Sequence, residues 1–563
     1  MSDTSRPIVN TVQSLPTGSN ETLSQSGAIT SVVDEQYAIA SQLAVRGKLP
    51  QARERYHQLS ETFHAPAFHA LLENDLATLA AVDGDFDLAK QMYGTALRID
   101  PGCTAARENL NLLVADAVIS DRAAKRPEPA APLALRKTRV AIVSILFNWP
   151  STGGGTIHTA ETGKFLGLAG YDVRHIYSQY SNWGIGRMDQ EPLAPSEALV
   201  FDAKSWNAPE IQRRFREAVD SFAPDFVIVT DSWNFKPLLA EAMRGYRYFL
   251  RLAAQECLCP LNNVRLLVDS QGQTSSCPKH QLATPDACRK CVRDRERQSG
   301  SLHQAERALS GYGTAEYDHR LRQAFEGAEA VLAVNPLIAA TISPFAKQVC
   351  VVPSGFDPSR FPWTANESHE TNRKGRCATL LFAGLTEEFM KGFHILRAAC
   401  QRLWQKRRDF ELVVTGDSPE RPDEFCRYIG WQTQEQLPNV IRASDILMFP
   451  TIAEEALGRS AVEAMGAGRP VIASRIGGLK FTVTDGATGL LFEPGNVDDL
   501  ARKIDTLLDN PELRDQMGLA GRSQFEANYT WDAVINQHYS CLLGPANREL
   551  SHGDLAQFRL NKE

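Results

Sequence analysis

No run in the 563-residue sequence approaches the roughly 18 apolar residues of a membrane span, and the opening MSDTSRPIVN lacks the apolar stretch of a secretory signal. Both absences point to the cytosol, with peripheral contact at the inner face of a membrane left open. Cysteine is scarce: eleven residues in a chain this long are too few for a disulfide scaffold. Basic charge is not in excess either, since the formal net charge is −7, so no overall field gathers nucleic acid. What is present, 43% hydrophobic and 23% charged residues, is the composition of an ordinary globular protein. The length exceeds what one core serves, so several domains are expected.

Residues 1–32, rich in Ser, Thr, Gln and Gly, show no helical or strand period and are expected to form a disordered tail. Between 33 and 118 two stretches align, AVRGKLPQARERYHQLS and AVDGDFDLAKQMYGTAL. Gly47, Ala52 and Tyr56 match Gly84, Ala89 and Tyr93 at identical spacing, and the second copy continues through Ala96 to Pro101. This resembles the tetratricopeptide repeat, whose small residues let antiparallel helices approach closely and whose proline stops the second helix. A partial third copy is expected near AARENLNLLVAD. The resemblance implies an all-α module that binds a protein partner or self-associates.

Residues 119–136, charged and then rich in Ala and Pro, read as a linker. Beyond it, RVAIVSILF is an apolar run of buried-strand type, NWPSTGGG a loop, TIHTAETGKFLGLAG a helix and YDVRHIYS a strand, which together make a βαβ unit. PDFVIVTDS, AEAVLAVNP and QVCVVPSG continue the first block. A second block follows with CATLLFAG, FELVVTGD, ASDILMFPT, RPVIASRIGG and TGLLFEPG as strands separated by helices. Two such blocks imply an α/β architecture of two doubly wound, Rossmann-like domains facing a cleft, over 137–345 and 346–530.

The stretch EEALGRSAVEAMGAGRP, residues 454–470, does not read as ordinary core. Glu455 falls in the loop after the strand ASDILMFPT, and a helix starting near Gly458 and ending near Gly468 places Glu463 in its opening turns. A helix N-terminus aims unpaired N–H groups at an anion, and at Gly458 no side chain blocks the approach. Two carboxylates beside it can accept hydrogen bonds from sugar and ribose hydroxyls. A nucleotide-sugar supplies the diphosphate and both sets of hydroxyls.

This stretch resembles the Glu-x7-Glu signature of the retaining GT-B glycosyltransferases of family 4. The resemblance runs over about 139–543 and includes VVPSGFDPSRF, FMKGFHIL, ELVVTGD and DGATGLLFEPGNVDDLARKI. It implies that Glu455 contacts the donor sugar, that Glu463 holds the ribose diol, and that amides near Gly458, Arg459 and Ser460 meet the phosphates. It implies for Lys391 the neutralisation of the leaving diphosphate. Gly153, Gly154 and Gly155 look like the first-domain glycine loop, which approaches the diphosphate from the opposite side, and residues 531–563 become a helix crossing back to the first domain, with a tail. A retaining mechanism needs no metal, because the leaving phosphate takes the acceptor's proton on the same face.

The chain departs from the family at two places. After Gly384 the family often has an arginine where this chain has Leu385, and Arg459 is a candidate substitute. After PDFVIVT it often has a histidine reaching the sugar, where this chain offers Thr230, Asp231 and Asn234; Asp231 either hydrogen-bonds a sugar or acceptor hydroxyl or caps a helix. His158, in the first turn after the glycine loop, is a helix-packing or a ligand-contact residue.

A cysteine-rich insert over 257–291 places Cys288-x2-Cys291 near Cys259 and Cys277, a four-thiolate set suited to structural zinc, with reduced thiols as the alternative. The expected function is transfer of a hexose from a nucleotide-sugar to a glycan, lipid-linked or protein acceptor. The alternative is a scaffold protein whose repeats act and whose transferase region is inactive.

Overall fold

In the N-terminal region, alanines and tyrosines recurring on helix faces draw together α1 (Gly27–Val45), α2 (Leu49–Thr62), α3 (Pro66–Val82) and α4 (Phe86–Ile99). The computed structural model describes residues 27–110, 135–362 and 377–549, apart from 46–47, 63–64, 84, 108, 152, 263, 270–272 and 296–299. The chain forms two units, Met1–Ala130 and Ala131–Glu563. In the first, α1 packs on α2 and α3 on α4. Pro66 opens α3, where its missing N–H costs nothing, and the Asp85 carboxylate accepts from Leu88 N–H to cap α4.

Ala52 and Tyr56 of α2 and Ala89 and Tyr93 of α4 are all buried, so residues that match in sequence occupy equivalent places. Gly47 and Gly84 lie outside the described residues, as does the third copy beyond residue 110. The expected tail is shorter than 1–32: helix α1 already runs from Gly27, where Ala28, Ile29, Val32 and Val33 extend the apolar period upstream, and residues 1–26 lie outside the described residues.

The second unit opens with β1 (Leu135–Lys137). A parallel sheet then gathers β2 (Arg139–Ser144), β3 (Asp172–Gln179), β4 (Ser196–Val200), β5 (Phe226–Val229) and β6 (Tyr248–Leu252). A separate antiparallel hairpin, β7 (Leu266–Val268) and β8 (Thr274–Ser276), stands in the cysteine-rich insert. The parallel sheet is completed by β9 (Ala330–Ala333) and β10 (Val349–Val351), in the order β10-β9-β6-β5-β2-β3-β4. A second parallel sheet holds β11 (Ala378–Phe382), β12 (Phe410–Val414), β13 (Cys426–Tyr428), β14 (Ile446–Phe449), β15 (Val471–Ser474) and β16 (Gly489–Phe492), in the order β13-β12-β11-β14-β15-β16.

Strand order reverses at β2, which lies between β3 and β5, and at β11, which lies between β12 and β14. At such a reversal the connections leaving the carboxyl ends diverge to opposite faces and open a crevice. The chain leaves β2 toward Gly153–Gly155, β5 toward Asp231, β11 toward Gly384 and Lys391, and β14 toward Glu455 and Gly458. The nominated residues therefore follow the strands at the two reversals.

From Trp531 to Leu543 the chain is helical again and lies on the first sheet, where Trp531, Val534, Tyr539 and Leu542 are buried with Val140, Ile142, Phe226 and Leu332. Beyond it β17 (Asn547–Glu549) pairs antiparallel with β1. Two expected boundaries move. The boundary expected between 345 and 346 falls later, because residues 349–351, read as a strand of the first block, pair with Val331–Ala333 and complete the first sheet. Leu135 and Arg136, assigned to the linker, are in β1, and residues 119–134 lie outside the described residues. No helix among the described residues is long and apolar enough to cross a membrane.

Candidate active site

The chain between β14 and the helix Arg459–Gly466 is held by its backbone. Thr451 Oγ1 and Ile452 N–H both donate to the Met390 carbonyl at 2.9 Å, and Gly478 N–H donates to the Glu455 carbonyl at 2.7 Å. These bonds tie the loop of Glu455 to the loop of Lys391, and the two side chains meet with Lys391 Nζ 2.6 Å from Glu455 Oε1. Burial works against the ammonium, but the facing Glu455 carboxylate outweighs it and lifts the lysine pKa above its ordinary value.

Gly458 enters the helix at φ +76°, and a Cβ there would lie 2.5 Å from Leu479 Cδ2, so both conformation and space call for glycine. The first helical bonds run from Ala461 and Val462 N–H to the Gly458 carbonyl. The Arg459 and Ser460 amides thus lead the helix without an intrahelical acceptor. Glu463, one turn on, is buried; burial raises its carboxyl pKa while Arg459 and Arg360 oppose the rise, the latter with Nη1 3.8 Å away. Gly384 stands two residues past β11 with Leu385 behind it.

In the first domain Gly153 precedes the helix Gly154–Leu168, of which every residue from Ile157 to Gly163 is buried. His158 stacks on Trp531 with ring centroids 5.5 Å apart and an 18° interplanar angle. Burial, with Arg251 and Arg459 nearby, pushes its pKa well below the usual histidine value, so it packs as a neutral ring.

Of the three residues offered in place of the family histidine, Thr230 bonds Thr159 at 3.1 Å, and the Asn234 amide donates to the Pro260 carbonyl at 3.0 Å. Asp231 differs: its backbone sits at φ +42°, and its Oδ2 is buried with no hydrogen-bond partner. Burial pushes its carboxyl up to about 7, against the Thr156 hydroxyl and the Lys236 charge, while Glu256 adds to the rise. Lys236 and Glu256 form a buried ion pair at 3.0 Å beneath it.

Several contacts across the two domains involve residues that sequence reasoning did not single out. Gln255 Nε2 donates to Glu454 Oε2 at 2.6 Å, and Asn335 Nδ2 to the Ala456 carbonyl at 2.5 Å. Lys164 pairs with Asp357 at 3.2 Å, and Arg459 Nη2 lies 3.6 Å from Glu161 Oε2. The one hint in the sequence was Glu161 itself, a carboxylate on a helix with no consistently polar face.

The expected zinc site is corrected. Cys288 and Cys291 lie one turn apart on the helix Pro285–Arg295. Burial first, then the nearby Cys259, Cys277 and Cys291 thiols, push Cys288 up to about 11. The Cys259 sulfur accepts from the Leu261 and Asn262 N–H groups of its own turn. Yet among the described residues no group of three or more His, Cys, Asp or Glu could hold a metal ion, and the cysteines are free thiols.

Comparison with known proteins places this arrangement. A 2-deoxystreptamine glucosyltransferase of Streptomyces kanamyceticus is 32% identical over 234 residues, 37% of this chain and 58% of that one. A lipopolysaccharide 1,2-N-acetylglucosaminetransferase of Salmonella typhimurium is 30% identical over 213 residues, 34% of this chain and 55% of that one. The chain spans about half the length of the curated relatives it matches. Among solved structures, a sucrose-phosphate synthase from Thermosynechococcus elongatus superposes with a TM-score of 0.51 at 19% identity, covering 72% of this chain and 99% of that one, so the GT-B-like fold is shared. Residues 366–524, the part of the chain that carries Lys391, Glu455 and Glu463, match the family described as glycosyl transferases group 1.

Proposed function

We propose that the protein is a retaining glycosyltransferase of family 4 that moves a hexose from a nucleotide-sugar to a glycan, lipid-linked or protein acceptor. The observation that carries this reading is the Lys391–Glu455 pair at 2.6 Å, set beside a glycine-opened helix N-terminus at a reversal of strand order. Glu463 accepts from the ribose hydroxyls, the Arg459 and Ser460 amides meet the diphosphate, and Glu455 accepts from donor-sugar hydroxyls. As the glycosidic bond breaks, negative charge builds on the leaving diphosphate, and Lys391 neutralises it in a partly water-excluded site. The leaving phosphate oxygen takes the acceptor proton on the same face. Asp231, with its unspent oxygen, accepts from a hydroxyl of the reacting sugar or of the acceptor. The helical first unit is read as a tetratricopeptide-like module that engages the acceptor or a protein partner.

Thermal unfolding of the full chain against a panel of nucleoside diphosphates and nucleotide-sugars tests the reading. A donor at 100 times its Kd should stabilise the protein by about 2.7 kcal/mol. The shift should vanish in Glu463→Ala and Lys391→Ala. No shift with any donor, in folded protein, would rule the enzyme out in favour of a binding scaffold. Where a donor binds and turns over, the anomeric configuration of the product, read by NMR, decides retention.

A further inference from the structure

Leu385 leaves the loop after Gly384 without the cation that the family resemblance leads one to expect there. Another cation stands within reach of the cleft. Arg459 reaches from the second domain into the first: a Cβ placed on Gly154 would lie 2.8 Å from Arg459 Cδ, so only a glycine leaves the arginine its path. Its guanidinium rests 4.3 Å over the Phe356 ring and 3.6 Å from Glu161 Oε2. At that separation the carboxylate holds the charge without accepting an N–H. Both Nη1 and Nη2 are buried and have no hydrogen-bond partner.

Unspent buried donors on a cation are costly and are rarely kept in a native structure unless something else completes them. The side chain that carries them leaves a helix N-terminus and passes the glycine loop, both of which favour an anion. Glu161 is itself fixed, because the buried Trp531 Nε1–H donates to the same Oε2 at 3.3 Å. The arginine is therefore held beside Glu161 with its Nη1 and Nη2 donors unspent.

We propose that Arg459 is a diphosphate-binding cation of this site, held across the cleft by Glu161, and that it replaces the cation missing after Gly384. The inference rests on the donor-site reading above. A guanidinium gives two parallel N–H bonds to a phosphate, which suits it to this place. Glu161 is a positioning residue: it touches Arg459 and acts on the donor through it. Gly154 supplies the clearance.

Calorimetric titration of the full-length protein tests the proposal, using the nucleoside diphosphate that binds it and the parent nucleoside. Arg459→Gln should weaken the diphosphate roughly tenfold to a hundredfold, the worth of charge-assisted hydrogen bonds, and leave the nucleoside unchanged, which also reports an intact fold. Arg459→Lys should recover part of the loss. Glu161→Gln should weaken the diphosphate several-fold alone and add nothing in the Arg459→Gln background. Equal losses for nucleoside and diphosphate would overturn the proposal, as would a Glu161→Gln effect that persists undiminished without Arg459. Diphosphate binding that is lost in Lys391→Ala but unchanged in Arg459→Gln would overturn it and leave the donor site standing. A wild type that binds no nucleoside diphosphate would remove the donor site and this inference together.

Discussion

At Asp231 the chain combines a left-handed backbone angle, φ +42°, with a buried, unpartnered carboxylate oxygen and a pKa pushed up to about 7. Ionisation is harder in the folded chain than in the unfolded one, where the ordinary value is 3.8. The stability this group contributes is therefore complete below about pH 4 and is lost as the pH rises through about 7. Asparagine tolerates the same backbone angle and cannot ionise. The Tm of Asp231→Asn should exceed that of the wild type at pH 8 and match it at pH 4. Activity should move the other way, with kcat falling about a hundredfold or more and the acid limb near pH 7 disappearing from the pH profile. A variant that keeps full activity would leave Asp231 a structural residue only.

Residues differ in how far the sequence disclosed them. Glu455, Glu463 and Gly458 share one short stretch, where spacing along a strand, loop and helix fixes their relation. Asp231 could be placed by its position after an apolar strand, although its missing partner became visible only in three dimensions. Glu161, Gln255 and Arg360 gain meaning from partners in a different part of the chain, Arg459, Glu454 and Glu463. Nothing in their immediate neighbours encodes that meeting. For the four cysteines the spacing suggested a metal site, and among the described residues no such group is found.

At the scale of elements, buried strands such as Arg139–Ser144, Phe226–Val229 and Ile446–Phe449 announced themselves as continuous apolar runs. The edge strand Ser196–Val200, only partly buried and carrying Ser and Glu, gave no such signal. Neither did the three-residue strands Leu266–Val268 and Thr274–Ser276, too short to show a period. The helix Arg459–Gly466 was legible because a glycine precedes it and Gly468 follows it. Its entry is also its weak point. Gly458→Ala imposes a positive φ on alanine and drives a methyl toward Leu479, which should destabilise the protein by about 1–3 kcal/mol. Because the strain falls where the amides meet the phosphates, the donor-induced rise in Tm should shrink as well. A thermal scan with and without nucleoside diphosphate reads both effects.

For the whole molecule, the division at Ala130 and Ala131 separates a helical unit from one that contains every candidate site residue. The alternation of strands and helices made the two sheets predictable, whereas their exact limits depended on pairings such as Val349–Val351 with Val331–Ala333. A chain limited to residues 131–563 should bind the same nucleoside diphosphate with an unchanged Kd, measured by calorimetry beside the full chain. A weaker Kd would mean that the helical unit reaches the donor site.

The return of Trp531–Leu543 to the first sheet, and the pairing of Asn547–Glu549 with Leu135–Lys137, also set an order of assembly. During synthesis the strands of the first sheet leave the ribosome early, but the face that Trp531 and Tyr539 will cover stays bare until the whole second domain has been translated. At 5–20 residues per second that interval is on the order of ten to forty seconds. The domain begun first is finished last, and in that window the segment that will cover its apolar face has not yet been made.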